Sequence, residues 1–301
     1  MGNVIQTNEL TKSFRGKAAV DRLALEVPEG SIYAYLGPNG AGKTTTIKLL
    51  MNILFPTSGS AEVLGVPSSQ IGVEQFQQIG YVSENQKIPG WMTVPQLVNY
   101  CKPMYPTWDD DFCSRLLRQF DLPNDTKLRS MSRGMKVKAM LLSSLAYRPK
   151  LLVLDEPFSG LDPLVRDEFI RGILELTESE GWTVFVSSHD IDEVERLADW
   201  VGFIDKGALQ LSEKRVTLQE RFRQIEVVLP DGAEVPKQLP KEWLVPERAG
   251  HAFRYVESRF DGQAEERFRS MFPSVETYDP QSLSLRETYL ALARHFKGGA
   301  Q

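Results

Sequence analysis

An apolar run, Ile32-Tyr33-Ala34-Tyr35-Leu36, stops at Gly37, and the chain continues as Gly37-Pro38-Asn39-Gly40-Ala41-Gly42-Lys43-Thr44. A helical pattern, Thr45-Thr46-Ile47-Lys48-Leu49-Leu50, follows without a break. Strand, glycine-rich loop and helix in that order form the setting of a phosphate-binding loop. Glycines let successive backbone N–H groups curl toward one point, and the helix N-terminus adds partial positive charge there. Lys43 would reach the β- and γ-phosphates of a nucleoside triphosphate, and the Thr44 hydroxyl would sit on Mg²⁺. The loop from Gly37 to Thr44, with Thr45 behind it, is therefore the candidate nucleotide site.

The second half of such a site is a carboxylate at the end of a buried strand, and Leu151-Leu152-Val153-Leu154-Asp155-Glu156 supplies one. Asp155 would hold Mg²⁺ through water, and Glu156 could polarise the attacking water. Further short β-type runs, Leu23–Val27, Gly80–Val82, Thr183–Val186 and Val201–Ile204, alternate with helical stretches over the first 210 residues. That alternation predicts an α/β fold with a largely parallel sheet covered by helices. The runs at 151–154, 183–186 and 201–204 are nearly all apolar, which suits strands buried on both faces.

Residues 88–148 read as a mostly helical insertion, interrupted by Pro95, Pro103, Pro106 and Pro123. Thr107 reads as an N-cap, with Asp109 to Asp111 in the first turn, where negative charge suits the helix dipole. After Lys206-Gly207 the texture changes to strands at Ile225–Leu229 and Ala252–Val256, and then to a helix opened by the capping box Ser284-x-x-Glu287. The domain organisation expected is a nucleotide-binding domain over 1–215 and a small α+β accessory domain over 216–301. Nothing in the latter looks catalytic.

Composition excludes several classes. Of the 301 residues 42% are apolar and 25% charged, the balance of a globular chain with a core. Thirty-five basic against forty acidic residues leave a net charge of −5, which disfavours a nucleic-acid partner recruited by bulk charge. Cys101 and Cys113 form no C-x-x-C pair, and His189, His251 and His295 are scattered, so no disulfide framework or local metal cluster is expected. Such sparse cysteine fits a reducing cytosol. No apolar run approaches the roughly 20 residues that span a bilayer, and no signal-peptide pattern opens the sequence, so a chain soluble by itself is expected.

The loop alone does not identify a family, although the N-K-x-D stretch of a GTPase is missing. The remaining motifs, in order, resemble the ATP-binding cassette (ABC) transporter ATPases, with a flavour of bacterial drug- and lipid-export cassettes. Met131-Ser132-Arg133-Gly134-Met135 stands where that family has its L-S-G-G-Q signature, ahead of the strand ending in Asp155-Glu156. Ser159-Gly160-Leu161-Asp162 is similar to its D-loop, and His189, 34 residues after Asp155, to its switch histidine. Phe14 occupies the position of the aromatic that stacks on adenine. The resemblance covers about residues 3–210. Asp162 followed by Pro163 also reads as an ordinary helix cap, Phe14 as a core residue and Ser132 as a cap.

The resemblance implies a P-loop fold of the ABC type, with a mainly parallel core, an antiparallel N-terminal part and the helical insertion. It implies ATP and Mg²⁺ as ligands, and two ATPase subunits, identical or different, that clamp each ATP between Lys43 of one and Ser132 and Gly134 of the other. It further implies Glu156 as general base, His189 steadying the γ-phosphate, and a separate transmembrane permease that tethers the chain to the cytoplasmic face of a membrane. Transport, with export as the expected direction, is the leading function; a soluble ATPase with a regulatory, non-transport role is the alternative. Trp91, Tyr105 and Trp108 are contact residues for the permease if exposed, or packing under loops if not. Two positions depart from the family pattern. Glu84, in Gly80-Tyr81-Val82-Ser83-Glu84, replaces a glutamine near the catalytic metal, where a carboxylate could bind Mg²⁺ more strongly yet adds negative charge beside the phosphate. Arg133 replaces the first signature glycine, at a conformational cost in left-handed backbone but with a possible cation near phosphate.

Overall fold

The computed structural model describes residues 2–84, 86–230, 233, 235–236, 238–273, 275 and 277–298. The chain forms two compact units, Met1–Ser212 and Glu213–Gln301. The first begins with β1 (Asn3–Phe14), β2 (Lys17–Leu23) and β3 (Glu26–Pro28), followed by β4 (Ile32–Leu36), α1 (Lys43–Leu50), β5 (Ser58–Val63) and β6 (Val66–Pro67). Next come α2 (Val73–Phe76) and β7 (Ile79–Ser83), then the insertion with α3 (Val94–Cys101), α4 (Asp110–Gln119) and α5 (Arg133–Leu145). The unit closes with β8 (Leu151–Asp155), α6 (Pro163–Glu180), β9 (Thr183–Ser188), α7 (Ile191–Glu195), β10 (Trp200–Asp205) and β11 (Ala208–Lys214).

Two sheets divide the strands. An antiparallel sheet runs β2-β1-β5-β6, with β3 also paired to β1, and a six-stranded sheet runs β11-β10-β4-β9-β8-β7. In the second sheet β10, β4, β9, β8 and β7 are parallel neighbours. Every residue of β4, β8 and β9 is buried, as expected of largely apolar strands covered on both faces. Ile5, Leu10, Val20 and Leu23 from the antiparallel sheet bury with Tyr35, Ile47, Leu50 and Phe185 in one core. Register places Ser83, Asp155 and Ser187 side by side, with Leu36 next to Ser188. The carboxyl ends of four parallel strands thus share one edge, which is where open α/β sheets bind ligands.

Two local expectations are corrected. Leu23–Val27 is not one strand: β2 ends at Leu23 and β3 begins at Glu26, because Leu25 donates its N–H to the buried Thr7 hydroxyl at 2.7 Å. The cap of α4 is Asp109, whose carboxylate accepts from Phe112 N–H at 2.8 Å, whereas the Thr107 hydroxyl donates to the Tyr147 carbonyl at 2.8 Å. Asp109 wins because its carboxylate serves two donors: its other oxygen accepts from Arg148 Nε at 2.8 Å.

The second unit contains α8 (Arg215–Arg221), β12 (Arg223–Val228), β13 (Trp243–Ala249), β14 (Ala252–Glu257), α9 (Ala264–Met271), β15 (Asp279–Ser282) and α10 (Leu285–Gly298). Its sheet runs β13-β14-β12-β15 around an aromatic core in which Trp243 stacks on Tyr255 at 4.0 Å. The Ser284–Glu287 capping box forms in both directions, at 2.8 and 3.2 Å. Among the described residues no helix is long and apolar enough to cross a membrane.

Gly59 is a point of close backbone approach in the antiparallel sheet. The β1–β5 register slips between Asn8 and Thr11, and Gly59, at φ +74°, faces that irregularity so closely that a Cβ would overlap the Glu9 carbonyl oxygen. Gly59→Ala combines a left-handed backbone with a backbone clash, and should lower unfolding free energy by about 2 kcal/mol or more in urea titration. Wild-type stability in that variant would contradict the close approach.

Candidate functional site

The loop between β4 and α1 is shaped by close backbone contacts. Gly37 N–H donates to the Ser188 carbonyl at 3.2 Å, and Gly207 N–H to the Ala41 carbonyl at 2.8 Å. A Cβ on Gly37 would overlap the Ile204 carbonyl oxygen, and one on Gly42, at φ +113°, the Ala19 carbonyl oxygen. Gly40, at φ +81°, faces open space instead. Lys43, 5% exposed, opens α1 and folds back over this cradle. Its ammonium donates to the Gly37 carbonyl at 2.6 Å and the Pro38 carbonyl at 3.2 Å, and pairs with Glu156 Oε1 at 3.0 Å.

Asp155 ends β8 at 3% exposure. Its Oδ1 accepts from the Ser187 hydroxyl at 2.8 Å and the Thr44 hydroxyl at 3.2 Å. Burial pushes its carboxyl above the usual range, and the Ser187 and Thr44 hydrogen bonds pull in the opposite direction. Glu156 follows with φ +51°, a left-handed conformation that an L-residue holds only under tertiary constraint. Part of that constraint is its own N–H, which donates to Ser187 Oγ at 3.0 Å. The turn sends the Glu156 carboxylate back between two partners, with Oε1 on Lys43 and Oε2 within 2.8 Å of His189 Nδ1. A buried ion pair is weak evidence for stability, because desolvation offsets its Coulomb gain, so this one points to chemistry.

Glu84 follows β7 and joins the same edge through its N–H, which donates to the Asp155 carbonyl at 3.0 Å. Its Oε1 accepts from the Ser159 hydroxyl at 2.8 Å and from Arg133 Nη2 at 2.7 Å. Those two donors, Ser159 first, hold its carboxyl below the usual range. The two positions that depart from the family pattern therefore meet in one chain.

The structure brings Lys43, Thr44, Asp155, Glu156, His189 and Glu84 together. Other expected residues lie around them. Phe14 is exposed under the Lys12 ammonium, 5.2 Å from its ring centre, so it is not core; it belongs to the β1–β2 hairpin whose Ala19 meets Gly42. Ser132 caps α5 by accepting from Met135 N–H at 3.2 Å, and Asp162 caps α6 by accepting from Val165 N–H at 3.1 Å. Gly134 packs against Val165, where a Cβ would stand 2.8 Å from its methyl. Among the described residues no hydrogen bond joins Ser132 or Gly134 to the Lys43 loop. Trp91 is exposed, whereas Tyr105 is half-buried and stacks on Tyr147 at 3.8 Å. Sequence reasoning missed Ser187 and Ser159 as polar partners. The available signal for Ser187 was a small polar residue ending an otherwise apolar strand, in register with Asp155.

The family described as ABC transporter matches residues 20–159. The bacitracin transport ATP-binding protein BcrA of Bacillus licheniformis is 36% identical over 69% of this chain and 69% of its own length. The ABC transporter ATP-binding protein YtrB of Bacillus subtilis is 25% identical over 96% of this chain and 97% of its own length. A solved dimeric ATP-binding cassette, in a post-hydrolysis state bound to ADP and Pi, has the same fold with a TM-score of 0.62 and 20% identity, covering 70% of this chain and 98% of that one.

Ser187 is fully buried and serves Asp155 and Glu156 at once. Ser187→Ala leaves the Glu156 N–H without its acceptor and Asp155 with the Thr44 hydroxyl but without its shorter hydrogen bond. It should cost about 1–3 kcal/mol of stability by denaturant titration, more than a serine-to-alanine change at an exposed site. A loss indistinguishable from that of an exposed site would remove the organising role given to this hydroxyl.

Proposed function

This chain belongs to the ABC transporter family, as one of its ATP-hydrolysing subunits, and from that premise we propose that it works as half of a paired ATPase that drives a separate transmembrane partner. The observation that carries the reading is the Glu156 carboxylate, bridging the Lys43 ammonium at 3.0 Å and His189 at 2.8 Å, one residue beyond the Asp155–Thr44 pair. Export across a membrane, with the chain on the cytoplasmic face, is the direction and location proposed. The transport roles printed for relatives such as BcrA support transport itself. A net charge of −5 speaks against a nucleic-acid partner.

The residues fit ATP and Mg²⁺. Gly37 and Gly42 let the loop close against the Ile204 and Ala19 carbonyls, where a Cβ would overlap, and Thr44 and Asp155 offer hard oxygen donors 3.2 Å apart. Bound Mg²⁺ would neutralise charge developing on the β- and γ-phosphates. The loop N–H groups from Gly37 to Thr45 would receive the phosphates, with the Phe14 ring under adenine. Lys43 would transfer its ammonium from Glu156 to phosphate oxygen. With its Oε1 thus released, Glu156 would accept the proton of the attacking water, while His189 would hold the second carboxylate oxygen and steady the γ-phosphate. Ser132, Gly134 and Asp162 lie at helix starts that would meet the nucleotide of the opposite subunit. Glu84 is joined to Asp155 through the main chain, its N–H on the Asp155 carbonyl at 3.0 Å, with its carboxylate on Arg133 and Ser159.

Two substitutions separate these roles. Glu156→Gln keeps the hydrogen-bonding shape and removes the base, so hydrolysis should fall about 10²-fold or more while ATP binding persists and dimers accumulate on size exclusion. Near-normal turnover would eliminate Glu156 as base. Lys43→Ala removes a charge-assisted donor and should weaken ATP binding about tenfold by calorimetry; unchanged affinity would contradict the cradle.

A further inference from the structure

The two residues that break the family pattern sit 49 positions apart and form an ion pair, Arg133 Nη2 to Glu84 Oε1 at 2.7 Å. We propose that Arg133 is the counter-charge that allows a carboxylate to occupy position 84 beside the triphosphate, so that the two departures form one compensated unit. The proposal rests on the nucleotide reading above and adds to it a residue that governs ATP affinity through another side chain.

Three observations support it. First, position matters: Glu84, Arg133 and Glu156 line a single cavity of about 160 Å³. With Asp155 hydrogen-bonded to Glu84 through the main chain, three carboxylates crowd the edge where an anionic triphosphate would bind. An uncompensated Glu84 would repel it. Second, Arg133 is held in place. Its guanidinium lies over Gly160, where a Cβ would stand 3.0 Å from Cζ, and the Ser159 hydroxyl shares its acceptor oxygen. Lys136 lines the same cavity but donates to the Arg129 carbonyl at 3.4 Å, so the cation that meets Glu84 is Arg133. Third, Arg133 is the first residue of α5, where the helix dipole disfavours a cation. Its charge therefore finds its use in the partner and not in the helix.

The test is a binding cycle on the full chain, with Mg²⁺ and a non-hydrolysable ATP analogue in calorimetry. Arg133→Gln should weaken binding about fivefold, by exposing the Glu84 charge, and that penalty should shrink in roughly 1 M salt. Arg133→Lys should stay close to wild type, because it keeps the charge. Glu84→Gln should bind at least as well as wild type. The double variant E84Q/R133Q should recover the affinity of E84Q, a rescue that a merely structural arginine would not show. Unchanged affinity in R133Q, or a double variant as weak as R133Q, overturns the proposal and leaves the nucleotide site standing. A strong loss in E84Q alone also overturns it, by making Glu84 a direct ligand of the metal. A wild-type chain that does not bind the analogue removes the nucleotide reading and this proposal with it.

Discussion

The Asp155 carboxylate, buried at the end of β8, is the constraint around which the first unit is arranged. A carboxylate at 3% exposure is costly unless hydrogen bonds meet it, and here the donors come from two other segments, Thr44 from the glycine loop and Ser187 from β9. Satisfying one side chain therefore ties the start of α1 and the end of β9 to the end of β8, in the register that the β4–β9–β8 ladder sets. The same register that aligns Asp155 with Ser187 aligns Ser83 with Asp155, which delivers Glu84 to the neighbouring position. Burial also raises the Asp155 carboxyl. A bound cation would favour its charged form, so the electrostatic debt of the folded site falls when the site is filled.

Much of the site was legible because its signals are local. A strand, a glycine loop and a helix are consecutive in the chain, and β4 runs over Ile32–Leu36 as the apolar run suggests. The Asp155-Glu156 pair declares itself by following four aliphatic residues. What stayed hidden depends on residues distant in sequence. Nothing near Arg133 in the chain says that its guanidinium reaches Glu84, and nothing near Ser187 says that its hydroxyl divides its bonds between Asp155 and the Glu156 main chain. The misread cap at Thr107 has a similar origin. Thr107 and Asp109 are both competent caps, and the choice fell to a third residue, Arg148, that pairs with Asp109. The division of Leu23–Val27 follows from Thr7, a buried hydroxyl on the adjacent strand. Alternation showed where an extended segment lay but not where its ladder was broken.

The Lys43–Glu156–His189 chain shows how one arrangement can both wait and act. Glu156 holds a left-handed φ of +51° and a largely desolvated charge, and both cost stability without ligand. The cost is bearable because Lys43 supplies the opposite charge and two loop carbonyls complete its hydrogen bonding. Glu156 Oε1 is turned to the Lys43 ammonium and its Oε2 to His189, so in this arrangement the carboxylate is committed to protein partners and not to a substrate water. Catalytic power therefore depends on withdrawing Lys43, and the group best able to withdraw it is a phosphate, which offers an ammonium more charge than a carboxylate does. The general base would thus be released by the substrate whose water it activates, which links hydrolysis to occupancy through the shift of one side chain. Arg133 and Glu84 apply the same electrostatics differently. Arg133 starts α5 and holds Glu84 at 2.7 Å, so its pair screens a charge and leaves the exchange of partners to Lys43.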